Sequence, residues 1–160
     1  MTTIRRAARN DLPALERLLR DSFDASYALF LPGQYVRSWR TSDEPSRTLR
    51  QLMGSMGVAL SGTTPVGFVA CQNDTVAELW VSPKYKRRGV GTALLQWAED
   101  WLREQGFSTA KLNCYERNTS GLAFYRKNGY AVTDRFPSRR IAGGPVTVFT
   151  LSKALDGRRG

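Results

Sequence analysis

The sequence predicts a mixed α/β fold (mixed α+β), in which strands and amphipathic helices alternate along the chain. Residues 76–106 are typical of a strand, a short basic turn and a long amphipathic helix. An apolar run at 110–115 predicts the next strand and completes a strand–helix–strand unit. Two further apolar runs, at 130–136 and 146–151, predict a closing antiparallel pair. These three observations indicate a sheet that is covered by helices.

The N-terminal third predicts one strand and several helical segments. Residues 3–6 favour a first strand, and Asn10 with Asp11 supplies an N-cap for a helix whose leucines recur on one face. Residues 22–45 predict a broken helical region, because Pro32-Gly33 interrupts a series of aromatic side chains: Phe23, Tyr27, Phe30, Tyr35 and Trp39. Residues 46–53 predict a further short helix.

A hairpin and the central unit follow. Residues 57–60 and 66–71 flank a turn at 61–65 that is rich in Gly, Thr and Pro, which predicts a hairpin. The strand at 76–82 ends before Pro83, because proline cannot donate to a strand ladder. The helix after the basic turn has apolar residues at helical spacing, and a helix over 118–128 precedes the closing pair.

The basic turn is predicted to hold a pyrophosphate. It reads Lys86-Arg87-Arg88-Gly89-Val90-Gly91-Thr92. Glycine lets an anion approach the backbone, and the first N–H groups of a helix lack intrahelical partners. The spacing does not fit a P-loop, and Leu94 stands where a Rossmann fingerprint needs its third glycine.

Residues 79–95, which include this turn, resemble the signature segment of the GNAT superfamily of N-acetyltransferases. That signature has Arg or Gln, two residues, Gly, one residue, and Gly or Ala; Lys86 stands at the first position and keeps the charge. Residues 118–130 match a later segment of the family, in which an Asn opens a helix, a Tyr lies near its end and a Gly-aromatic pair begins the next strand.

The resemblance implies the GNAT fold. This is a six- to seven-stranded, largely antiparallel sheet that is splayed in the middle and flanked by about four helices. We expect a single domain over 1–155 and a disordered tail at 156–160. The chain shows no apolar leader and no run of about 18 apolar residues, so we expect a cytoplasmic protein. Family members often pair through their last strands, which makes a homodimer one open arrangement.

The resemblance also implies acetyl-CoA as acyl donor. Its pyrophosphate would lie on the turn, and its pantetheine arm would pair with the backbone of Leu79, Trp80 and Val81. The N–H of Val81 would stabilise the oxyanion. Asn118 would contact the donor, and Tyr125 would point at its sulfur. The residues expected to bind the pyrophosphate are Lys86, Arg87, Arg88, Gly89, Val90, Gly91 and Thr92.

Two residues are candidates for proton transfer. Tyr125 is the candidate general acid, because a phenol can protonate a departing thiolate. Glu78 is the only carboxylate on the central strand and the candidate base, directly or through a water. Strict alternation argues against Glu78, because family glutamates correspond to Thr75 and Ala77, on the other face unless a bulge changes the register. A water chain or an already neutral amine is the alternative.

The acceptor is expected to be a primary amine of a small molecule or peptide. The aromatic segment 22–45 would wall its pocket, and the candidate substrate-binding residues are Phe30, Tyr35, Arg139 and Arg140. The candidate pocket segments hold more arginines than carboxylates, since Arg37, Arg40 and Arg135 lie there in addition to Arg139 and Arg140. Because an arginine fork suits a carboxylate, we expect a carboxylate or phosphate beside the acceptor's amine.

Composition excludes several other functions. The 160-residue chain has a net charge of +10, which invites a nucleic-acid interpretation, but its basic residues are dispersed and the cluster at 84–88 is explained by a diphosphate. The chain contains no histidine, so a Ser-His-Asp hydrolase is excluded and no metal site is expected. Cys71 and Cys114 are predicted to be buried free thiols. The remaining alternatives are a catalytically weak acyl-CoA-binding domain, a nucleic-acid-binding domain and a longer acyl donor than acetyl.

Overall fold

A computed structural model describes residues 2–141 and 146–156 of the chain. Within these ranges lie seven β-strands and five α-helices: β1 Thr2–Arg6, α1 Leu12–Ala25, α2 Gly33–Thr41, α3 Glu44–Leu52, β2 Met56–Ser61, β3 Thr64–Gln72, β4 Thr75–Val81, α4 Val90–Glu104, β5 Thr109–Tyr115, α5 Thr119–Lys127, β6 Ala131–Pro137 and β7 Thr147–Ala154. The sheet order is β1-β2-β3-β4-β5-β7-β6, and only β4 and β5 are parallel neighbours. The predicted mixed class and largely antiparallel sheet are confirmed. Of the predicted tail at 156–160, all but Asp156 lies outside the described residues.

The sheet opens between β4 and β5. These strands pair at one position, Thr75 opposite Lys111. There the Lys111 N–H donates to the Asp74 carbonyl over 3.0 Å, and Lys111 Nζ lies 3.2 Å from Asp74 Oδ2. Beyond this clamp the strands separate, which confirms the predicted splay and leaves the free side of β4 without a strand partner among the described residues.

Helix α4 lies unusually close to the sheet because two strand residues are glycines. A Cβ on Gly57 would lie 2.8 Å from the Trp97 ring, and one on Gly67 would lie 2.9 Å from Leu94 Cδ1. Larger residues at these positions would push the helix outward. The packing also brings the start of α4 to the end of β4, since a Cβ on Gly91 would lie 3.8 Å from Val81 Cγ2.

Two apolar cores cover the two faces of the sheet. The α4 core lies beneath α4 and α5 and includes Val69, Val76, Leu94, Ala98, Leu112 and Leu151. The α1 core lies beneath α1, α2 and α3 and includes Leu15, Phe23, Trp39, Leu49, Met56 and Phe68. The Phe23 and Trp39 rings stack with centroids 3.7 Å apart, so α2 is held directly on α1. The predicted broken helical region is therefore a packed layer.

Asp11 stands at the start of α1 but makes no side-chain cap hydrogen bond to it, contrary to the N-cap role expected from the sequence. Its carboxylate instead accepts hydrogen bonds from both terminal nitrogens of Arg5, over 2.8 and 2.9 Å, and from the Ala8 N–H over 2.7 Å. The guanidinium of Arg5 lowers the pKa of Asp11. Asp11 therefore ties β1 to the start of α1.

A buried carboxylate joins α4 to the closing hairpin. Glu99 is only 4% exposed, and it accepts hydrogen bonds from the Tyr130 hydroxyl and from Lys153 Nζ, each over 2.9 Å. Two donors on two further segments therefore satisfy its oxygens. A buried charge that keeps all its partners is tolerated, whereas one that loses a partner is costly.

We expect Lys153→Met to lower the free energy of unfolding by about 2–3 kcal/mol, because Glu99 would keep its burial and lose its cation. Tyr130→Phe should cost about 1–2 kcal/mol through one lost hydrogen bond. Urea denaturation measures both. Arg47→Met, which removes an exposed partner of Asp43, is the control and should change stability by less than about 0.5 kcal/mol. Equal stability of Lys153→Met and wild type would refute the role given to Glu99.

Candidate active site

The basic turn has the backbone of an anion cradle. Gly89 is the N-cap of α4 with φ of 82°, and Arg87 also has a positive φ of 64°. Nothing lies within 4 Å of where a Gly89 Cβ would stand, so the left-handed backbone, and not crowding, favours glycine there. Gly91 differs, because a Cβ on it would lie 3.2 Å from Phe124 Cζ. Gly91 was expected to let an anion approach the backbone, and in the structure it also has a packing role against α5.

The side chains around the cradle are free to meet an anion. Lys84, Lys86, Arg87 and Arg88 are exposed, and none of them forms an ion pair within residues 2–141 and 146–156. Arg88 lies 5.3 Å from the Tyr85 ring centroid. The positive end of α4 adds to these charges. The arrangement fits a diphosphate.

The free edge of β4 offers backbone donors at the splay. The Ser82 N–H donates to the Val66 carbonyl over 2.8 Å, which makes these residues a hydrogen-bonded pair of the β3–β4 ladder. Since such pairs alternate along antiparallel strands, the backbone groups of Trp80 face β3, and those of Leu79 and Val81 face the opening. Ser22 Oγ, from α1, donates to the Val81 carbonyl over 3.3 Å.

A β-bulge decides which face Glu78 occupies. Cys71 pairs with Val76 and Ala70 pairs with Glu78, so Ala77 is an extra residue in β4. Val76 consequently packs in the α4 core, whereas Glu78, two residues on, lies beside Trp80 on the α1 side. The bulge that the sequence analysis left open is present. It places Thr75, Glu78 and Trp80 along one cavity.

A cavity of about 930 Å³ lies between the α1–α3 layer and the sheet, at the splay. Its aromatic lining consists of Phe23, Tyr27, Tyr35, Trp39, Trp80, Tyr115 and Phe136. The Tyr27 ring contacts the Trp80 and Tyr115 rings, with centroids 4.8 and 5.2 Å apart. Phe30 packs on Tyr27 and Tyr115 from behind and is not among the described residues that line the cavity.

Glu78 is a carboxylate whose pKa suits a base. Its side chain is partly buried, and its Oε2 accepts a hydrogen bond from Trp80 Nε1 over 2.6 Å. Burial raises the pKa of Glu78 to about 6, and the Trp80 hydrogen bond and the Arg140 charge act in the opposite direction. The group is therefore ionised at neutral pH and takes up a proton more readily than an exposed carboxylate.

Tyr125 is a phenol that stays protonated. Its ring packs against the α4 core and makes an edge contact with Phe124, with centroids 5.2 Å apart. Burial, and the neighbouring Cys114 and Glu78, raise the pKa of Tyr125 well above that of a free phenol. Within the described part of the chain, no group hydrogen bonds to its hydroxyl, which leaves that hydroxyl free for a ligand.

Asn118 positions the helix that carries Tyr125. Its Oδ1 accepts a hydrogen bond from the Gly121 N–H over 3.1 Å and so caps α5. A Cβ on Gly121 would lie 2.5 Å from Asn118 Nδ2, so glycine is needed for this close cap.

The predicted acceptor residues separate into two groups. Tyr35, Arg139 and Arg140 line the cavity, and Arg140 forms an ion pair with Glu44 across it. The other arginines considered lie outside the lining: Arg37 is exposed on α2, Arg40 pairs with Asp24 over 2.8 Å, and Arg135 pairs with Glu116 over 3.3 Å. Sequence reasoning missed Trp80 as the partner of Glu78 and Glu44 as the partner of Arg140. The spacing of Trp80 two residues after Glu78 on the same strand was the one sequence signal for the first of these contacts.

Cys71 and Cys114 are buried free thiols, as predicted. Burial raises the pKa of Cys71 to about 12 and that of Cys114 to about 11. Both are therefore protonated at neutral pH. Among the helices of residues 2–141 and 146–156, none has the length and apolar composition to cross a bilayer.

A splayed sheet with an anion cradle and an aromatic cavity at the opening is the arrangement expected of the GNAT fold. The family model described as Acetyltransferase (GNAT) family matches residues 12–130, and the chain belongs to this family. The predicted family is thus confirmed.

Two sequence relatives and one solved structure each match most of this chain. It is 27% identical over 143 residues to the spermidine N(1)-acetyltransferase of Thermoplasma acidophilum, covering 82% of this chain and 89% of that protein. It is 28% identical over 132 residues to the peptidyl-lysine N-acetyltransferase YiaC of Escherichia coli, covering 82% and 84%. The crystal structure of the PaiA N-acetyltransferase from Thermoplasma acidophilum in complex with coenzyme A superposes with a TM-score of 0.79 at 23% identity, covering 96% and 99%. That likeness confirms the GNAT fold.

We expect Glu78→Gln to raise the free energy of unfolding at pH 7.5 by up to about 2 kcal/mol. The folded-state pKa of Glu78 is raised from 4.5 to about 6, so its ionisation destabilises the folded protein fully above pH 6 and not at all below pH 4.5. Urea denaturation at several pH values should show the gain vanish as pH falls through this window. Glu116→Gln, an exposed change of the same kind, is the control. A destabilised Glu78→Gln variant at pH 7.5 would contradict the assigned burial.

Proposed function

We propose that this chain transfers an acetyl group from acetyl-CoA to a primary amine by direct attack. One juxtaposition carries the proposal: the free edge of β4 lies between the anion cradle at Gly89 and the aromatic cavity that holds Glu78. A donor on the cradle and an acceptor in the cavity would meet at Leu79 and Val81. The fold family favours the same assignment.

The donor would be held by the backbone more than by side chains. The residues proposed for its diphosphate are Lys86, Arg87, Arg88, Gly89, Val90, Gly91 and Thr92, and the free edge at Leu79 and Val81, with Asn118, would hold its arm. When bound, acetyl-CoA supplies an activated thioester. The Val81 N–H, which the ladder directs into the opening, is proposed to stabilise the oxyanion that forms during attack. Trp80 is proposed to contribute to donor binding through its indole, which lies on the cavity side of β4.

Two side chains would handle the protons. Glu78 takes a proton from the acceptor ammonium, directly or through a water, and leaves a neutral amine. The amine nitrogen forms the new C–N bond, the C–S bond breaks as the resulting oxyanion collapses, and the second proton of the attacking nitrogen is released to solvent. Tyr125, which is still protonated, gives its proton to the departing sulfur. An acceptor that arrives already neutral would not need Glu78, and only the proton transfer from Tyr125 would remain necessary.

Direct attack is favoured over an acyl-cysteine intermediate. Cys114 lines the cavity, and an intermediate on its sulfur would require a thiolate. With a pKa of about 11, that thiolate is scarcely populated at neutral pH. An amine acceptor is supported by the similar proteins, because spermidine and peptidyl-lysine both present primary amines.

The donor site is tested by isothermal titration with acetyl-CoA. We expect binding by the wild type and a loss of at least about tenfold in Gly89→Glu, since the change adds a repelling charge and strains a left-handed position. Gly106→Glu is the matched control. Gly106 also has a positive φ, 91° compared with 82° for Gly89, and nothing lies within 4 Å of where its Cβ would stand. It follows the other end of α4. No binding by the wild type, or equal losses in both variants, would refute the donor site.

The base is tested by pH–rate profiles. We expect wild-type kcat/KM for the acceptor to fall below about pH 6, where Glu78 becomes protonated, and Glu78→Gln to lower kcat/KM by about 100-fold and to abolish this limb. Trp80→Phe removes a hydrogen bond that favours the charged carboxylate, so the limb should move to higher pH. Tyr125→Phe should lower kcat with little change in the KM for acetyl-CoA. Persistence of the limb in Glu78→Gln would exclude Glu78 as the base.

A further inference from the structure

An ion pair in the lining of the acceptor cavity has no part in the proton transfers above. Glu44 is the first residue of α3, and Arg140 lies in the β6–β7 connection, 96 positions away in sequence. Both side chains line the cavity. We propose that this pair is an exchangeable clasp: an acceptor with a carboxylate beside its amine takes Arg140 from Glu44, and the site thereby selects amino-carboxylate acceptors. The inference rests on the proposed acetyl transfer to an amine.

The charges of the cavity complement such an acceptor. Five charged residues line it: Glu44, Arg47, Glu78, Arg139 and Arg140. Arg47 pairs with Asp43 over 3.0 Å, and Arg140 pairs with Glu44. Glu78 and Arg139 form no ion pair with any described residue. Glu78 matches the ammonium of such an acceptor, and Arg140, once released by Glu44, matches its carboxylate, whereas the second ammonium of a diamine would meet Arg139.

The clasp lies close to the proposed base. The Arg140 charge lowers the pKa of Glu78 and the Glu44 charge raises it, and both also act on the pKa of Tyr35. Because Glu78 and Arg140 line the same cavity, an acceptor bound there can place its amine at Glu78 and its carboxylate at Arg140. The aromatic lining between them suits an apolar or aromatic side chain.

The two partners of the clasp are not equivalent. The Arg140 side chain is 76% exposed, whereas that of Glu44 is 25% exposed. Glu44 lies in the first turn of α3, where the helix dipole stabilises a carboxylate without a partner. An exposed ion pair contributes little, and an arginine fork binds a ligand carboxylate through two hydrogen bonds. Arg140 is therefore the partner that leaves, and the exchange is favourable.

The test uses two acceptors that differ only by a carboxylate, phenylalanine and 2-phenylethylamine, with steady-state kinetics at saturating acetyl-CoA. Glu44→Gln frees Arg140 and should lower the KM for phenylalanine by about two- to fivefold, with 2-phenylethylamine unchanged. Arg140→Gln should raise the KM for phenylalanine by roughly tenfold or more and leave 2-phenylethylamine unchanged. In the double variant the benefit of Glu44→Gln should disappear.

Asp24→Asn is the control, because it removes the same charge from an exposed carboxylate whose partner, Arg40, lies outside the cavity lining. It should alter neither KM. Equal effects of Glu44→Gln on both acceptors would overturn the clasp and indicate a general change of potential. Better use of spermidine than of phenylalanine, weakened by Glu44→Gln, would also overturn it and assign Glu44 to a second ammonium.

Acceptor binding without turnover separates this inference from the proposed function. Trp39 and Trp80 line the cavity, so their fluorescence should report binding of phenylalanine without acetyl-CoA. Binding that is strengthened by Glu44→Gln and weakened by Arg140→Gln, with no acetylated product, would support the clasp and refute the acetyl transfer. The absence of both binding and turnover of phenylalanine would overturn the clasp.

Discussion

The contact between β4 and β5 is the constraint on which this structure depends. Two parallel neighbours in a sheet would ordinarily pair along their whole length, and here they meet only at Thr75 and Lys111, clamped by Asp74. Everything proposed for the site follows from the separation beyond that point. Backbone donors at Leu79 and Val81 become available, and the two faces of the sheet communicate through the opening. A fully paired sheet would bury these donors in a ladder.

An open edge in the middle of a sheet forgoes hydrogen bonds, and the loss has to be offset elsewhere. The two apolar cores, one on each face, provide that stabilisation away from the opening. Helix α4 contributes most directly, since Gly57 and Gly67 let it lie close on β2 and β3, of which β3 pairs with β4. The same close packing aims the start of the helix at the end of β4. Stability and ligand geometry are thus set by one helix.

Much of the fold, and the donor half of the site, could be predicted from local sequence. The glycines of the basic turn and the apolar spacing of α4 are contiguous signals, and they identified the cradle and the family. The acceptor half depends on contacts that sequence spacing does not encode. The bulge at Ala77 inserts a residue with no distinguishing side chain, and it reverses the face on which Glu78 lies. The partners of Asp11 and Arg140 are set by how layers pack: Asp11 pairs with Arg5 and does not cap α1 as expected, and Arg140 pairs with Glu44.

The contact between Gly91 and Phe124 has a consequence for how sequences of this kind diverge. Gly91 belongs to the donor turn, and Phe124 precedes Tyr125 on the helix that Asn118 caps. Because the ring occupies the space of a missing side chain, positions 91 and 124 form a single steric unit. A homologue with alanine at the first position would need the ring at the second to shift by a few tenths of an ångström, or a smaller side chain there. Covariation between positions 91 and 124 would therefore show that the shape of the donor turn and the placement of Tyr125 change together.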